Sequence, residues 1–208
     1  MFIDPVTEAE VIRVIKDLNN SSAGFDETPT FLVKQCLCYL IKPLVHIYNI
    51  SFQTGTFSDV LKKARVKPLF KSKDRQNIQN YRPISILLVF SKPLEKLMYN
   101  RVLLFLKKHN VLTSEQHGFI ETKSTETASH SFIKSVQEAL DKHLYAVGIF
   151  LDLSKAYDVI NHKRLLEKLD SYGIRGLVKK WFQSYLANRT QFVEISQIDK
   201  KEHSQHKF

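Results

Sequence analysis

Tyr145-Ala146-Val147-Gly148-Ile149-Phe150-Leu151 is an apolar run of strand length, closed by an acid and continued as Asp152-Leu153-Ser154-Lys155-Ala156-Tyr157-Asp158. Consecutive apolar residues suit a strand buried on both faces, with neighbours above and below the sheet. Asp152 then stands where such a strand leaves the core, a place from which a carboxylate reaches a metal without being buried itself. An isolated aspartate is otherwise a turn or cap residue, and Asp158, six positions on, reads as a turn residue.

Composition limits the options. With 208 residues, 43% hydrophobic and 25% charged, the chain is globular in character and long enough for a sizeable core. A formal net charge of +10 suits a polyanion, nucleic acid first, although an anionic membrane surface satisfies the same number. Cys36 and Cys38 have no second pair nearby, so they are expected to be core thiols rather than zinc ligands. Met1 to Pro5 lacks the basic start and long apolar core of a signal peptide, and Lys34, Lys42, Pro43 and His46 interrupt the apolar stretch from Phe31 to Ile50. The expectation is an intracellular chain, cytoplasmic or nuclear, that neither is secreted nor enters a membrane.

Upstream of the central stretch, Thr7 and Glu10 form a capping box, with Val6 and Val11 placed as a hydrophobic staple and an apolar face from Val11 to Leu18. Thr28-Pro29 predicts the start of a second helix, interrupted or restarted at Pro43 and stopped by Gly55. Charge then concentrates. Between Leu61 and Arg82, eight basic residues face Asp74 alone, whereas residues 1–30 carry Arg13 and Lys16 against six acids. A charge run is commonly a solvated face. Here it threads two expected strands, Val66–Phe70 and Tyr81–Leu88, whose basic connection makes a finger able to close on phosphates. Ser91 opens a long helix reaching Asn110, and Thr125 to Leu140 forms an amphipathic one. Past the central stretch, Leu165, Leu166 and Leu169 mark a helix ended by Gly173, Trp181 and Phe182 are helix-packing or base-stacking aromatics, and Phe192–Ile195 reads as a strand.

Asp152 to Asp158, following its apolar run, resembles motif A of reverse transcriptases, most nearly those of retrotransposons without long terminal repeats, the LINE and jockey type. Pro68-Leu69-Phe70-Lys71-Ser72-Lys73-Asp74 resembles a second segment of that family, and Asn80-Tyr81-Arg82-Pro83-Ile84-Ser85 reproduces a third without change. Ile47 to Phe57, the Ser91-to-Lys96 helix start and Trp181 to Gln191 add to the likeness. Two departures stand out. Ile120 and Thr122 replace an arginine and a glycine of the family pattern, and Ser22-Ala23-Gly24-Phe25-Asp26 lacks the proline and last glycine of the family's Pro-Gly-Pro-Asp-Gly loop.

The resemblance implies an α+β fold, the fingers and partial palm of a right-hand polymerase: residues 1–144 fingers-like, 145–208 the start of the palm with motif A. It implies templated addition of deoxynucleotides to a DNA primer on an RNA template. By the same likeness Asp152 is catalytic and binds magnesium with the Leu153 carbonyl, Lys71 and Arg82 touch the incoming triphosphate, and Tyr157 packs under its sugar. Two magnesium ions serve the family, which need more oxygen ligands than one aspartate. The family's Pro-Gln-Gly and Ala-Asp-Asp segments are not found in the sequence, so this chain is expected to be a fragment that cannot complete the metal site. The competing expectation is a non-enzymatic nucleic-acid-binding remnant, and a third is a chain that does not fold stably. Oligomeric state is left open.

Overall fold

The computed structural model describes residues 1–20, 22–153, 156–198 and 203–207. Helices and one small sheet make a mixed α/β fold. Among the described residues the α-helices are α1 (Glu8–Lys16), α2 (Thr30–Gln35), α3 (Leu37–Thr54), α4 (Ser91–Lys108), α5 (Thr125–Asp141), α6 (His162–Ser171) and α7 (Leu177–Leu186). Four strands, β1 (Lys63–Phe70), β2 (Tyr81–Ile86), β3 (Thr190–Ile198) and β4 (His203–Lys207), form a sheet in the order β2-β1-β3-β4. β1 pairs antiparallel with β2 and parallel with β3, which pairs antiparallel with β4. By internal contacts the chain forms two compact units, Met1–Leu103 with His162–Phe208, and Leu104–Asn161.

The first unit holds the core. α1 begins as its sequence dictates: the Thr7 hydroxyl accepts from the Glu10 N–H at 3.3 Å, and the Glu10 carboxylate accepts from the Thr7 N–H at 3.0 Å. Val6, Val11, Val14 and Ile15 are buried. Asn49 of α3 clamps the Val6 backbone, accepting from its N–H at 2.6 Å and donating to its carbonyl at 3.0 Å. Trp181 of α7 lies at the centre, 1% exposed, stacked on Tyr185 at 5.3 Å and edge-on to Phe57 at 5.3 Å. Its Nε1–H donates to Ser51 Oγ of α3 at 3.0 Å, so the one polar atom of the indole is satisfied inside the core. Trp181 is therefore a packing residue, and base stacking by it is ruled out. Gly55 ends α3 at φ +63°, and a Cβ there would meet the Leu177 carbonyl at 2.9 Å.

Three expectations need correction. The helix break falls at Cys36, and Pro43 lies within α3. Pro43 removes only the bond to the carbonyl of Tyr39, and both residues face solvent, where water satisfies that carbonyl. Cys38 is exposed and Cys36 half-buried, so they are not a pair of core thiols: two positions apart on a helical stretch, they cannot both face inward.

The largest correction concerns the second unit. Residues 144–153 form no strand, and Leu151 is 90% exposed rather than buried. A strand is defined by its partners, and among the described residues none pairs with this run. Phe150 makes a tilted ring pair with Phe132 of α5 at 5.6 Å. α5 itself starts with a capping box between Ser124 and Thr127 and, despite its apolar stripe, buries no side chain. Asp158 lies in a turn, as expected.

Candidate nucleotide and nucleic-acid site

The β1–β2 hairpin carries Lys71 and Arg82. Residues paired across an antiparallel ladder share a face, and the register sets Arg65 against Ile86, Lys67 against Ile84 and Leu69 against Arg82. Lys71 follows β1 directly, and its N–H donates to the Asn80 carbonyl at 2.8 Å, extending the ladder by one bond. Alternation thus puts Arg65, Lys67, Leu69 and Lys71 of one strand on the face that bears Arg82 and Ile84 of the other. Lys71 and Arg82 are exposed and have no ion-pair partner among the described residues.

The opposite face fixes the loop. Phe70 and Tyr81 pair across the ladder with ring centroids 5.4 Å apart, Arg75 lies over Phe70 at 5.0 Å, and the Tyr81 hydroxyl donates to the Arg75 carbonyl at 2.9 Å. Asn80 Nδ2 donates to the Asp74 carbonyl at 2.8 Å, and Asp74 Oδ1 accepts from the Gln76 N–H at 2.9 Å. The one acid between Leu61 and Arg82 thus holds the turn of the loop, and the basic residues of that stretch outnumber it eight to one.

A cavity of about 410 Å³ lies elsewhere in this unit, between residues 1–5 and the start of α7, far in kind from the finger: its walls are mainly apolar. A second, of about 350 Å³, is lined mainly by apolar surface of the hairpin, Leu69, Ile84 and Ile86 among it, together with Lys67, Lys92 and Ser22. Ser22 belongs to the loop that departs from the family pattern. That loop is anchored by Arg65, whose guanidinium donates to the Ala23 carbonyl at 2.5 Å and pairs with Glu194 of β3 at 3.0 Å. Gly24 packs so closely that a Cβ would meet the Leu88 backbone at 3.1 Å, so this glycine is retained for close approach. Behind Lys92, burial pushes the Glu95 carboxyl up, partly offset by the Ser91 hydroxyl at 2.9 Å and by Arg189, Tyr185 and Lys92.

Lys67, Lys92, Ser22 and the anchoring Arg65 were not singled out by the motifs. The signal was present in Arg65-Val66-Lys67-Pro68-Leu69-Phe70-Lys71, where every second residue but one is basic.

Asp152, Leu153 and Tyr157 belong to the other unit, and all three are exposed. Ser154 and Lys155 lie outside the described residues. Among the described residues no group of three His, Cys, Asp or Glu side chains converges to hold a metal ion. One aspartate and one carbonyl do not fit a two-magnesium centre, which takes several oxygen ligands in fixed geometry. No helix among the described residues is long and apolar enough to cross a membrane.

Helices with a small sheet that carries a basic hairpin place the chain in the class of mixed α/β, reverse-transcriptase-like folds. The sequence profile described as "Reverse transcriptase (RNA-dependent DNA polymerase)" matches residues 63–208, and the chain belongs to that family. It is 28% identical over 201 residues to the "Probable RNA-directed DNA polymerase from transposon BS" of Drosophila melanogaster, covering 93% of this chain and 21% of that protein. To the "RNA-directed DNA polymerase from mobile element jockey" it is 31% identical in Drosophila funebris, over 81% of this chain and 19% of the relative, and 32% in Drosophila melanogaster, over 80% and 18%. The chain thus spans about a fifth of the length of these curated relatives.

Proposed function

We propose that this chain is the fingers and the beginning of the palm of an RNA-directed DNA polymerase from a retrotransposon without long terminal repeats, and that by itself it binds nucleic acid and nucleotides without catalysing their joining. The observation that carries the reading is that Lys71 and Arg82 fall on one face of the β1–β2 hairpin. Lysine supplies a point charge and arginine a planar fork of donors, a pair suited to the oxygens of a triphosphate. The mainly apolar cavity lined by Leu69, the cross-strand partner of Arg82, and by Lys67 and Lys92 suits a base or sugar with phosphates attached.

In this reading residues 1–144 act as fingers and the palm begins at 145. Asp152 with the Leu153 carbonyl holds part of a magnesium site, and Tyr157 packs under the sugar of a deoxynucleoside triphosphate. The partners are an RNA template and a DNA primer, met inside the cell, in cytoplasm or nucleus. The charge balance between residues 61 and 82 supports the binding half of the proposal, and the other half is supported by the chemistry of a two-magnesium centre, which needs more ligands than Asp152 and one carbonyl.

Binding of a labelled primer–template and of a deoxynucleoside triphosphate tests it, with Lys71→Ala and Arg82→Ala as variants. The expected result is salt-sensitive, sequence-tolerant binding that each variant weakens by roughly tenfold or more, as loss of a hydrogen bond between charged groups worth about 1.5 kcal/mol or more. Salt-insensitive binding overturns the binding half. Primer extension by the purified chain, lost in Asp152→Asn, overturns the other half.

A further inference from the structure

The run from Tyr145 to Leu153 lies in the second compact unit together with α5, and its backbone is as open as its side chains. The Leu144 N–H donates to the Ala139 carbonyl at 2.8 Å, closing the end of α5. From Tyr145 to Leu153 the N–H and carbonyl groups find no backbone partner among the described residues. Gly148 and Phe150, two positions apart, both lie against Phe132 of α5: the Phe150 ring pairs with it, and a Cβ on Gly148 would meet it at 3.4 Å. Residues two apart share a face of a strand, which leaves Tyr145, Val147, Ile149 and Leu151 for the other. All four are 80% exposed or more. A row of unpaired amides carrying apolar side chains is a template for another extended chain.

We infer that this run is a dimerisation strand, pairing antiparallel with the same run of a second copy of the chain about a two-fold axis at Val147. The partner is a second copy because the two ends of the run carry complementary charge. Lys142 and Asp152 are exposed and have no ion-pair partner among the described residues. A ladder centred on Val147 sets Tyr145 against Ile149, a favourable aromatic and β-branched combination, and Ala146 against Gly148. Just past its ends it brings Lys142 of each copy to Asp152 of the other, with Asp141 one step further, opposite Leu153. A shift of the centre by one residue sets Asp152 against Leu140 or Leu144 instead. Parallel pairing in register sets Asp152 against Asp152, so charge selects the antiparallel arrangement, in which the two-fold makes each contact twice. Two paired strands alone are marginal. Phe132, Ile133 and Leu140 of α5, each about half exposed, are available to add apolar area. The inference does not rest on the finger being a nucleotide site.

The test is sedimentation velocity of the full 208-residue chain over a wide concentration range, in magnesium-free buffer so that Asp152 is left to the ion pair. The expected result is a monomer–dimer equilibrium with Kd on the order of micromolar. Ile149→Lys is expected to weaken it about tenfold or more by burying a charge in the ladder. Lys142→Asp or Asp152→Lys alone is expected to weaken it roughly three- to tenfold, since each reverses two pairs, and the two combined to restore it. Register is read by disulfide formation after Cys36 and Cys38 are changed to Ser. Val147→Cys places the new thiols opposite each other, within disulfide reach, and is expected to crosslink. Leu151→Cys separates them by eight residues of strand, about 27 Å, and is expected not to. A chain that stays monomeric at every concentration overturns the inference in favour of another occupant for the run. Association unchanged by Ile149→Lys, a double reversal no tighter than either single one, or equal crosslinking at both positions overturns it as well.

Discussion

The β1–β2 hairpin alternates basic with apolar residues, whereas the run from Tyr145 to Leu153 is apolar but for Asp152 and Gly148. Their states are opposite. In the hairpin, the register from Arg65↔Ile86 to Phe70↔Tyr81 bonds both backbones, and β3 covers the other edge of β1. In the run, Tyr145, Val147, Ile149, Phe150 and Leu151 stand in solvent, and no ladder reaches them. Apolar content is thus insufficient to make a strand. A hairpin brings its own partner within a few residues, whereas an isolated run depends on chain that is distant or supplied by another molecule.

Substitutions sharpen this contrast, the largest effect first. Trp181→Ala is expected to cost about 3–5 kcal/mol in denaturant unfolding, because it empties the centre of the first unit and removes the indole's hydrogen bond to Ser51. A cost near zero would mean that the aromatic cluster does not hold α3 to α7. Gly55→Ala forces a Cβ against the Leu177 carbonyl at positive φ and is expected to cost about 1–2 kcal/mol in the same assay. Thr7→Ala removes the α1 cap and is expected to cost about 1 kcal/mol.

Next comes a pH effect. Burial alone raises the Glu10 carboxyl, but the Thr7 N–H and the Arg101 guanidinium at 3.2 Å outweigh it, so its folded pKa is lowered from 4.5. A lowered folded value makes the carboxylate stabilising above pH 4.5, with that contribution lost as pH falls through the folded value. The stability gap between the parent and Glu10→Gln should therefore be full at neutral pH and close in acid; a gap that widens in acid would reverse the assigned sign. At the bottom of the scale, Ile149→Lys in the solvent-exposed run should change stability by no more than about 0.5 kcal/mol. The same variant should reduce self-association in sedimentation, since exposed apolar runs drive it. A large loss of stability would show that the run is buried in solution after all.

The part of the fold legible in the sequence is the part fixed by neighbours along the chain. The Thr7–Glu10 box, Gly55 as a stop, the basic finger and the α5 stretch all announce themselves through residues a few positions apart. The Trp181–Ser51 bond and the Arg65 bridge from Ala23 to Glu194 join distant residues, and no local pattern encodes them. The candidate site divides the same way. Lys71 and Arg82 are brought onto one face by a short hairpin, whereas the setting of Asp152 was inferred from an apolar run whose partner strands the run itself does not specify.

The parallel pairing of β1 with β3 has a consequence for how the protein is made. Arg65 and Glu194, joined by their ion pair, are 129 residues apart. During synthesis the hairpin leaves the ribosome long before β3 exists, and at about 5–20 residues per second the wait lasts several seconds or more. Throughout that interval one edge of β1 offers unpaired amides to any extended chain nearby. The nascent polypeptide is consequently most vulnerable to misassembly in the interval after the finger has formed and before β3 arrives to cover it.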